Sequence, residues 1–311
     1  MAFTNSAGYQ NLAQGNFTPQ IFSQKVQKFF RRASVVEDIT NTDYAGEIEN
    51  FGDTVKIIKE PTITVKDYAR GQTVDTQLLA DDQITMTVDQ GSYFAFKVDD
   101  IEERQSHVNF EALATSSGAY SLKKNYDYNV LKFIYDNASD GTGAGTDGSP
   151  IDGDAAVDTL ANLVSTLKKN LDKNDVPEEN RWLVAPPEFF EQLRKAGGKL
   201  SDQSVMNDGG ASQIRNGKVT DRPLFGFNMY SSNAIAVSGG SAASHTFGSA
   251  GSNEYAFVYG HMSGVATVNH IAKTELIRDP DSFADVVRGL HVFGRKILRS
   301  EAVQRGVITI G

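Results

Sequence analysis

The stretch Asp279-Pro280-Asp281-Ser282-Phe283-Ala284-Asp285-Val286-Val287-Arg288-Gly289-Leu290-His291-Val292-Phe293-Gly294-Arg295-Lys296-Ile297-Leu298-Arg299 decides the fold of this chain. Apolar residues alternate with charged ones along it, and Gly289 and Gly294 punctuate the run. A period of two is the mark of a strand with one covered face and one wet face. The segment therefore predicts strands folding back on each other at the chain's end, and it does not read as a catalytic loop.

Working back from it, Thr274-Glu275-Leu276-Ile277-Arg278 joins the same strands, and Tyr255-Ala256-Phe257-Val258-Tyr259-Gly260 reads as another buried strand. Phe225-Gly226-Phe227-Asn228-Met229-Tyr230 is strand-like, residues 199–222 read as a polar loop, and 238–252 as a low-complexity Gly/Ser/Ala loop. Arg181-Trp182-Leu183-Val184-Ala185 reads as a short buried strand. Pro186-Pro187 then opens a helix over 188–196 that Gly197-Gly198 stops. Ala156, Val157, Leu160, Leu163, Val164, Leu167 and Leu171 trace one face of a strong amphipathic helix. This alternation of strand and helix predicts an α/β or α+β layer.

Residues 138–153, rich in Gly, Asp, Ser and Thr, read as a flexible acidic linker and the clearest boundary in the chain. Before it, Phe110, Leu113, Leu122, Tyr126, Val130, Leu131, Ile134 and Tyr135 give a helical stripe over 99–137, and Gly118 predicts a bend or break in it. Residues 51–98 read as β, with strand-like runs at 54–59, 62–66, 84–88 and 93–98 and a tip at 67–82 containing Arg70-Gly71. So long a two-sided hairpin is marginal alone and should find cover on another chain. Residues 1–17 read as an extended arm. Thr18-Pro19 then starts a short helix with an apolar face and a basic edge of Lys25, Lys28, Arg31 and Arg32.

The chain has 311 residues, of which 40% are hydrophobic and 22% charged, room enough for roughly two domains. With no cysteine, disulfide staples, thiolate zinc sites and cysteine nucleophiles are excluded. A net charge of −9 argues against gripping nucleic acid as the main task. No apolar run approaches ~18 residues, so no membrane span is expected. The opening residues lack a secretory signal, and the mature chain is expected to begin near Met1.

Motifs for chemistry do not hold up. Gly143-Ala144-Gly145-Thr146-Asp147-Gly148 fits G-x-G-x-x-G, but a dinucleotide site needs that motif between a strand and a helix, and here it follows a helix and precedes Pro150. Asp140, Asp147, Asp152 and Asp154 lack the spacing of a calcium loop. The five histidines, His107, His245, His261, His270 and His291, form no metal-ligand pair. Asp99-Asp100 and Glu102-Glu103 are adjacent and read as solvated charge. There is no nucleophile elbow and no P-loop lysine signature. The expectation is no enzyme, no cofactor and no metal.

Several phrases, in order, resemble the major capsid proteins of tailed bacteriophages with the Hong Kong 97-type fold. Phe17-Thr18-Pro19-Gln20-Ile21-Phe22-Ser23 is similar to the family's opening phrase. Arg181-Trp182-Leu183-Val184-Ala185-Pro186-Pro187-Glu188 is similar to its strand-to-helix turn, and Gly226-Phe227-Asn228-Met229-Tyr230-Ser231-Ser232-Asn233 to a later strand. The resemblance implies an α+β capsid fold. Its expected parts are an N-terminal arm at 1–50, an extended β-hairpin loop at 51–98, and a peripheral domain at 99–150 with a long spine helix. An axial domain at 151–265 and peripheral C-terminal strands at 266–311 complete it.

The same resemblance implies self-assembly into hexamers and pentamers of an icosahedral head around double-stranded DNA held without sequence specificity. The shell would form in the host bacterial cytoplasm and become part of the virion. A portal and a separate scaffolding or decoration protein are the other partners it implies. Only about fifty residues precede the hairpin, so a built-in scaffolding segment is not expected. Lysine crosslinking is not expected either, and Lys56, Lys59 and Lys66 read as surface lysines. Arg31, Arg32, Lys66, Asp67, Arg70, Arg278, Asp279 and Asp281 are the candidate inter-subunit contacts. The rival readings are a nonviral cargo-holding shell of the same fold and an unrelated enzyme with a Gly-rich loop. A surface-array or tail protein is a third.

Overall fold

Two sheets share one helix. The computed structural model of the chain describes residues 34–44, 54–61, 63–74, 76–78, 82–100, 110–156, 159–193, 223–235, 253–280 and 282–310. The first sheet contains three long strands in the order β3 (Gln90–Asp99), β10 (Ala284–Ile297) and β9 (Val265–Arg278), all antiparallel. The second has six strands, including β6 (Arg181–Ala185), β7 (Phe227–Ser231), β8 (Glu254–His261) and β11 (Val303–Thr309). Its edge is made of two short strands, β4 (Ser139–Asp140) and β5 (Ile151–Asp152), both parallel to β11.

The six-stranded sheet is covered on both faces, and β6 shows why. All five of its residues are buried, the pattern of a central strand between two layers. Trp182 and Val184 face one core with Tyr126, Val130, Leu131 and Ile134 of helix α2 (Phe110–Asn137). Leu183 and Ala185 face the other, filled by Leu160, Leu163, Val164, Leu167 and Leu171 of α3 (Thr159–Lys173) and Phe189 and Phe190 of α4 (Pro187–Leu193). The stripe from Leu160 to Leu171 is thus the seam of the second core, while Ala156, ahead of the helix, is exposed. Arg181, 1% exposed, closes the end of α3: it donates to the carbonyls of Val176 (2.5 Å) and Pro177 (2.8 Å) and forms an ion pair with Asp172 at 2.6 Å.

Helix α2 runs unbroken for 28 residues, about 42 Å at 1.5 Å per residue. Gly118 neither bends nor breaks it. A Cβ there would stand 2.9 Å from the Phe94 ring, so the glycine lets helix and sheet approach. Across the same ring, a Cβ on Gly289 would lie 2.3 Å from it. Phe94 is therefore clamped between two glycines, one in α2 and one in β10. Gly294 sits against the Thr87 carbonyl and Val88 in the same way. Neither glycine of the deciding stretch ends a strand. The expected pair of strands folding back is one continuous 14-residue strand that folds back on β9 and β3, with a bulge between Val292 and Phe293.

Residues 138–153 are not a linker. Ala144 is buried, and a Cβ on Gly145, whose φ is +80°, would come within 2.1 Å of the Val307 carbonyl oxygen. The Val307 N–H donates to the Ala144 carbonyl at 3.1 Å, so this segment forms the sheet edge beside β11. Composition alone cannot distinguish a loose glycine loop from one whose glycines admit a neighbouring backbone. As a result, 139–152 and β11 join the sheet of 181–261.

The hairpin is shorter than expected. β1 (Thr54–Ile58) pairs with β2 (Gln83–Thr87) through Val55↔Met86 and Ile57↔Ile84, while residues 93–98 pair with β10. No strand forms over 63–66, where Pro61 lies just upstream and Gln77 Oε1 accepts from the Thr64 N–H at 3.0 Å. The root of the ribbon is anchored: Met86 and Val88 are buried with Ala266, Val268 and Val292 of the long sheet. A short helix, α1 (Val36–Ile39), buries Val36 and Ile39 against the first core. The arm, the helix expected after Pro19 with Arg31 and Arg32, the loops at 199–222 and 238–252, and Asp281 lie outside the described residues.

Candidate inter-subunit surfaces

Among the described residues, those that looked chemical serve packing. Asp140 accepts from Arg305 Nε at 2.7 Å, and Asp147 accepts from the Tyr135 hydroxyl. The Arg305 guanidinium also lies 4.8 Å over the Tyr135 ring. Burial, and then the carboxylate of Asp147, push the Tyr135 phenol up, so it stays protonated. Asp154 accepts from Gln192 Nε2 at 2.6 Å. The Tyr259 phenol, pushed up to about 12 by burial, donates to Gln304 at 2.5 Å and accepts from Asn170. His261 Nδ1 accepts the Ser263 N–H at 3.1 Å and caps the turn at 262–264. Among the described residues, no group of His, Cys, Asp and Glu could hold a metal ion, and no helix is long and apolar enough to cross a membrane.

His291 belongs to the joint between α2 and the long sheet. Its ring meets Tyr126 edge-on at 5.5 Å and lies over Phe293 at 5.4 Å. Nε2 donates to Asn269 Oδ1, which leaves Nδ1 as a buried acceptor without a partner. Burial pulls its pKa below the ordinary histidine value.

What the molecule presents to solvent is more informative. Beyond its anchored root, the ribbon and tip expose Ile58, Ile63, Val65 (91%), Tyr68, Val74 and Leu78 (93%). Scattered exposed apolar residues are ordinary, but six on one appendage form a surface that asks for cover. Lys66, Asp67 and Arg70 stand together on this tip, exposed. Arg70 and Gly71 make its turn: the Gln72 N–H donates to the Ala69 carbonyl at 3.0 Å, and Gly71 takes φ +90°. Lys56, Lys59 and Lys66 are exposed too, and Lys59 faces Asp82 at 3.7 Å.

The second exposed region is the far end of the long sheet. Tyr93 (78%) and Leu290 are cross-strand partners on its open face, beside the Arg288–Glu275 ion pair at 2.7 Å. Arg278 forks onto Asp100 at 2.7 and 2.5 Å and reaches Asp285 at 3.1 Å. Those carboxylates raise its pKa. Asp279 accepts from Lys97 Nζ at 2.5 Å and from Ser282 Oγ at 2.7 Å. The structure therefore brings Arg278 and Asp279 together in a cluster made by their own chain, and sets the tip residues on a separate appendage. Sequence reasoning singled out charges and missed the exposed apolar residues beside them. The signal was there in Val65, Leu78 and Phe283, large apolar residues in otherwise polar runs.

The comparisons agree with this geometry. The family model described as phage capsid protein matches residues 82–306. The structure is similar to that of Mycobacterium phage Che8, with a TM-score of 0.78 and 28% identity over 94% of this chain and 98% of that one. It is also similar to the Cyanophage Pam1 capsid asymmetric unit, with a TM-score of 0.72 and 12% identity over 97% of this chain and 99% of that one. The asymmetric unit of the bacteriophage PhiM1 mature capsid gives 0.70 and 17% over 94% and 92%. No curated protein matches the sequence. The last two likenesses establish the Hong Kong 97-type fold, and the family match spans both sheets and α2. The chain belongs to the phage capsid protein family, and its role is that of a structural, self-associating major capsid protein of the virion shell.

Proposed function

We propose that the chain builds its shell by leaving its ribbon and arm to be covered by sister copies, closing first into hexamers and pentamers and then into an icosahedral head. The observation that carries this reading is the ribbon: buried at Met86 and Val88, exposed at Val65, Tyr68 and Leu78. Heterologous contacts that close give rings, and appendages covered in this way gain their stability on assembly. The parts are an arm at 1–50, an extended loop carried by β1 and β2, a peripheral layer of α2 and the long sheet, and an axial domain over 151–265. Residues 139–152 and β11 join the axial sheet.

Lys66, Asp67 and Arg70 at the tip, Arg31 and Arg32 in the arm, and Asp281 set register between subunits. Arg278 and Asp279 contribute by holding the turn they build. Exposed ion pairs of this kind contribute about 0–1 kcal/mol, weak enough for assembly to correct its errors. Packaged DNA is held without base contacts, in keeping with a net charge of −9. A portal and a separate scaffolding or decoration protein complete the head in the host cytoplasm, and the chain performs no catalysis. Negative-stain microscopy of the purified protein tests the reading. Closed particles are the expected result, and a compact monomer at every concentration would end it.

A further inference from the structure

The turn between β9 and β10 carries one large apolar side chain, Phe283, 81% exposed. Short bonds hold its backbone. The Asp279 N–H donates to the Ala284 carbonyl at 3.0 Å, the Ala284 N–H to the Ser282 carbonyl at 2.9 Å, and the Asp100 N–H to the Phe283 carbonyl at 3.2 Å. Ser282 Oγ bonds Asp279 at 2.7 Å, and around the base Lys97 engages Asp279 while Arg278 engages Asp100 and Asp285. The basic side chains here are thus drawn onto carboxylates of their own chain. Their work is to fix the turn, and the group the turn holds out is a phenyl ring. A pre-ordered aromatic ringed by satisfied polar groups is the arrangement that dominates binding at protein interfaces.

We infer that Phe283 is an apolar anchor that buries itself against a second copy of this chain when the shell assembles. The inference rests on the shell reading above. The partner is a second copy because the chain belongs to a family whose members associate with themselves. The ring also stands at the end of the longest sheet, well away from the ribbon, so the contact is additional to the ribbon's.

The test compares wild type with Phe283→Ser, Phe283→Gln and Phe283→Leu, each expressed with the phage's other head proteins. Sedimenting particles and the melting midpoint of the unassembled subunit are both measured. The polar variants should keep the subunit's melting midpoint and lose roughly tenfold or more of the particles, the shift that burying such a side chain represents. Phe283→Leu should restore most of the yield. Native yields from either polar variant would overturn the anchor, whether because the turn stays exposed or because another protein covers it. A leucine variant as defective as the polar ones would overturn it too. A wild-type chain that forms no particles would overturn the shell reading itself.

Discussion

In the six-stranded sheet, Trp182, Leu183, Val184 and Ala185 lie buried between α2 on one side and α3 and α4 on the other. In the ribbon and its tip, Ile58, Val65 and Leu78 face water. The residues are of the same kind, and the difference lies in where their cover comes from. The inner sheet receives both layers from its own chain, so its stability is a property of one subunit. Among the described residues, the ribbon receives cover only at its root, from β9 and β10. Hydrophobicity therefore separates interior from exterior in one region and, in the shell proposed above, marks an interface in the other.

Substitutions should separate the two regions by what they damage. The largest effect is expected inside: Trp182→Ala should destabilise the isolated subunit by about 3–5 kcal/mol in denaturant unfolding. Val65→Ser and Leu78→Ser, by contrast, should stay within about 0.5 kcal/mol in the same assay and show their damage only as lost particles. If the tip variants also unfolded the subunit, the contrast would collapse. An intermediate effect belongs at the clamp, where Gly289→Ala should cost about 1–3 kcal/mol through the Phe94 ring. A second substitution, Phe94→Leu, should recover part of that loss, which a double-mutant cycle would read as coupling.

Smaller still is the expected effect at the tip turn. Arg70→Glu should leave subunit melting unchanged while electron microscopy shows incomplete shells, and normal particles would remove Arg70 from the contact. The last expectation concerns pH at the joint of α2 and the long sheet. Burial lowers the His291 pKa in the folded protein, so below about pH 6.5 the unfolded chain takes up the proton more readily. Stability from this site is complete above that pH and falls as the pH drops toward the depressed value. Melting midpoints measured between pH 7.5 and 5 should fall more for wild type than for His291→Phe. Parallel curves would show that the ring does not titrate at that joint.

Much of this fold is legible in the sequence where one periodicity serves one layer. The stripe from Leu160 to Leu171 and the run Arg181–Ala185 read correctly because each packs in a single, local environment. Helix α2 reads less clearly because it serves two sheets: Tyr126 and His291 meet at one, and Ile134 and Trp182 share a core at the other. Glycine was the main source of error. Gly118, Gly145, Gly289 and Gly294 look like breaks in a linear pattern, and each instead makes room for an atom distant in sequence. The charged clusters were unevenly legible. Charge at Lys66, Asp67 and Arg70 is visible in sequence, whereas the capture of Arg278 by Asp100 joins residues 178 positions apart.

The chain passes between the two sheets three times: along α2, through the turn at 262–264, and through the turn at 300–302. The two turns are tied to each other, since the Leu298 N–H donates to the Gly264 carbonyl at 2.9 Å. Three struts meeting two plates make a braced frame and not a string of beads. A force applied at the rim of the long sheet is carried into the other plate as shear across many bonds. No single loop has to take the tension.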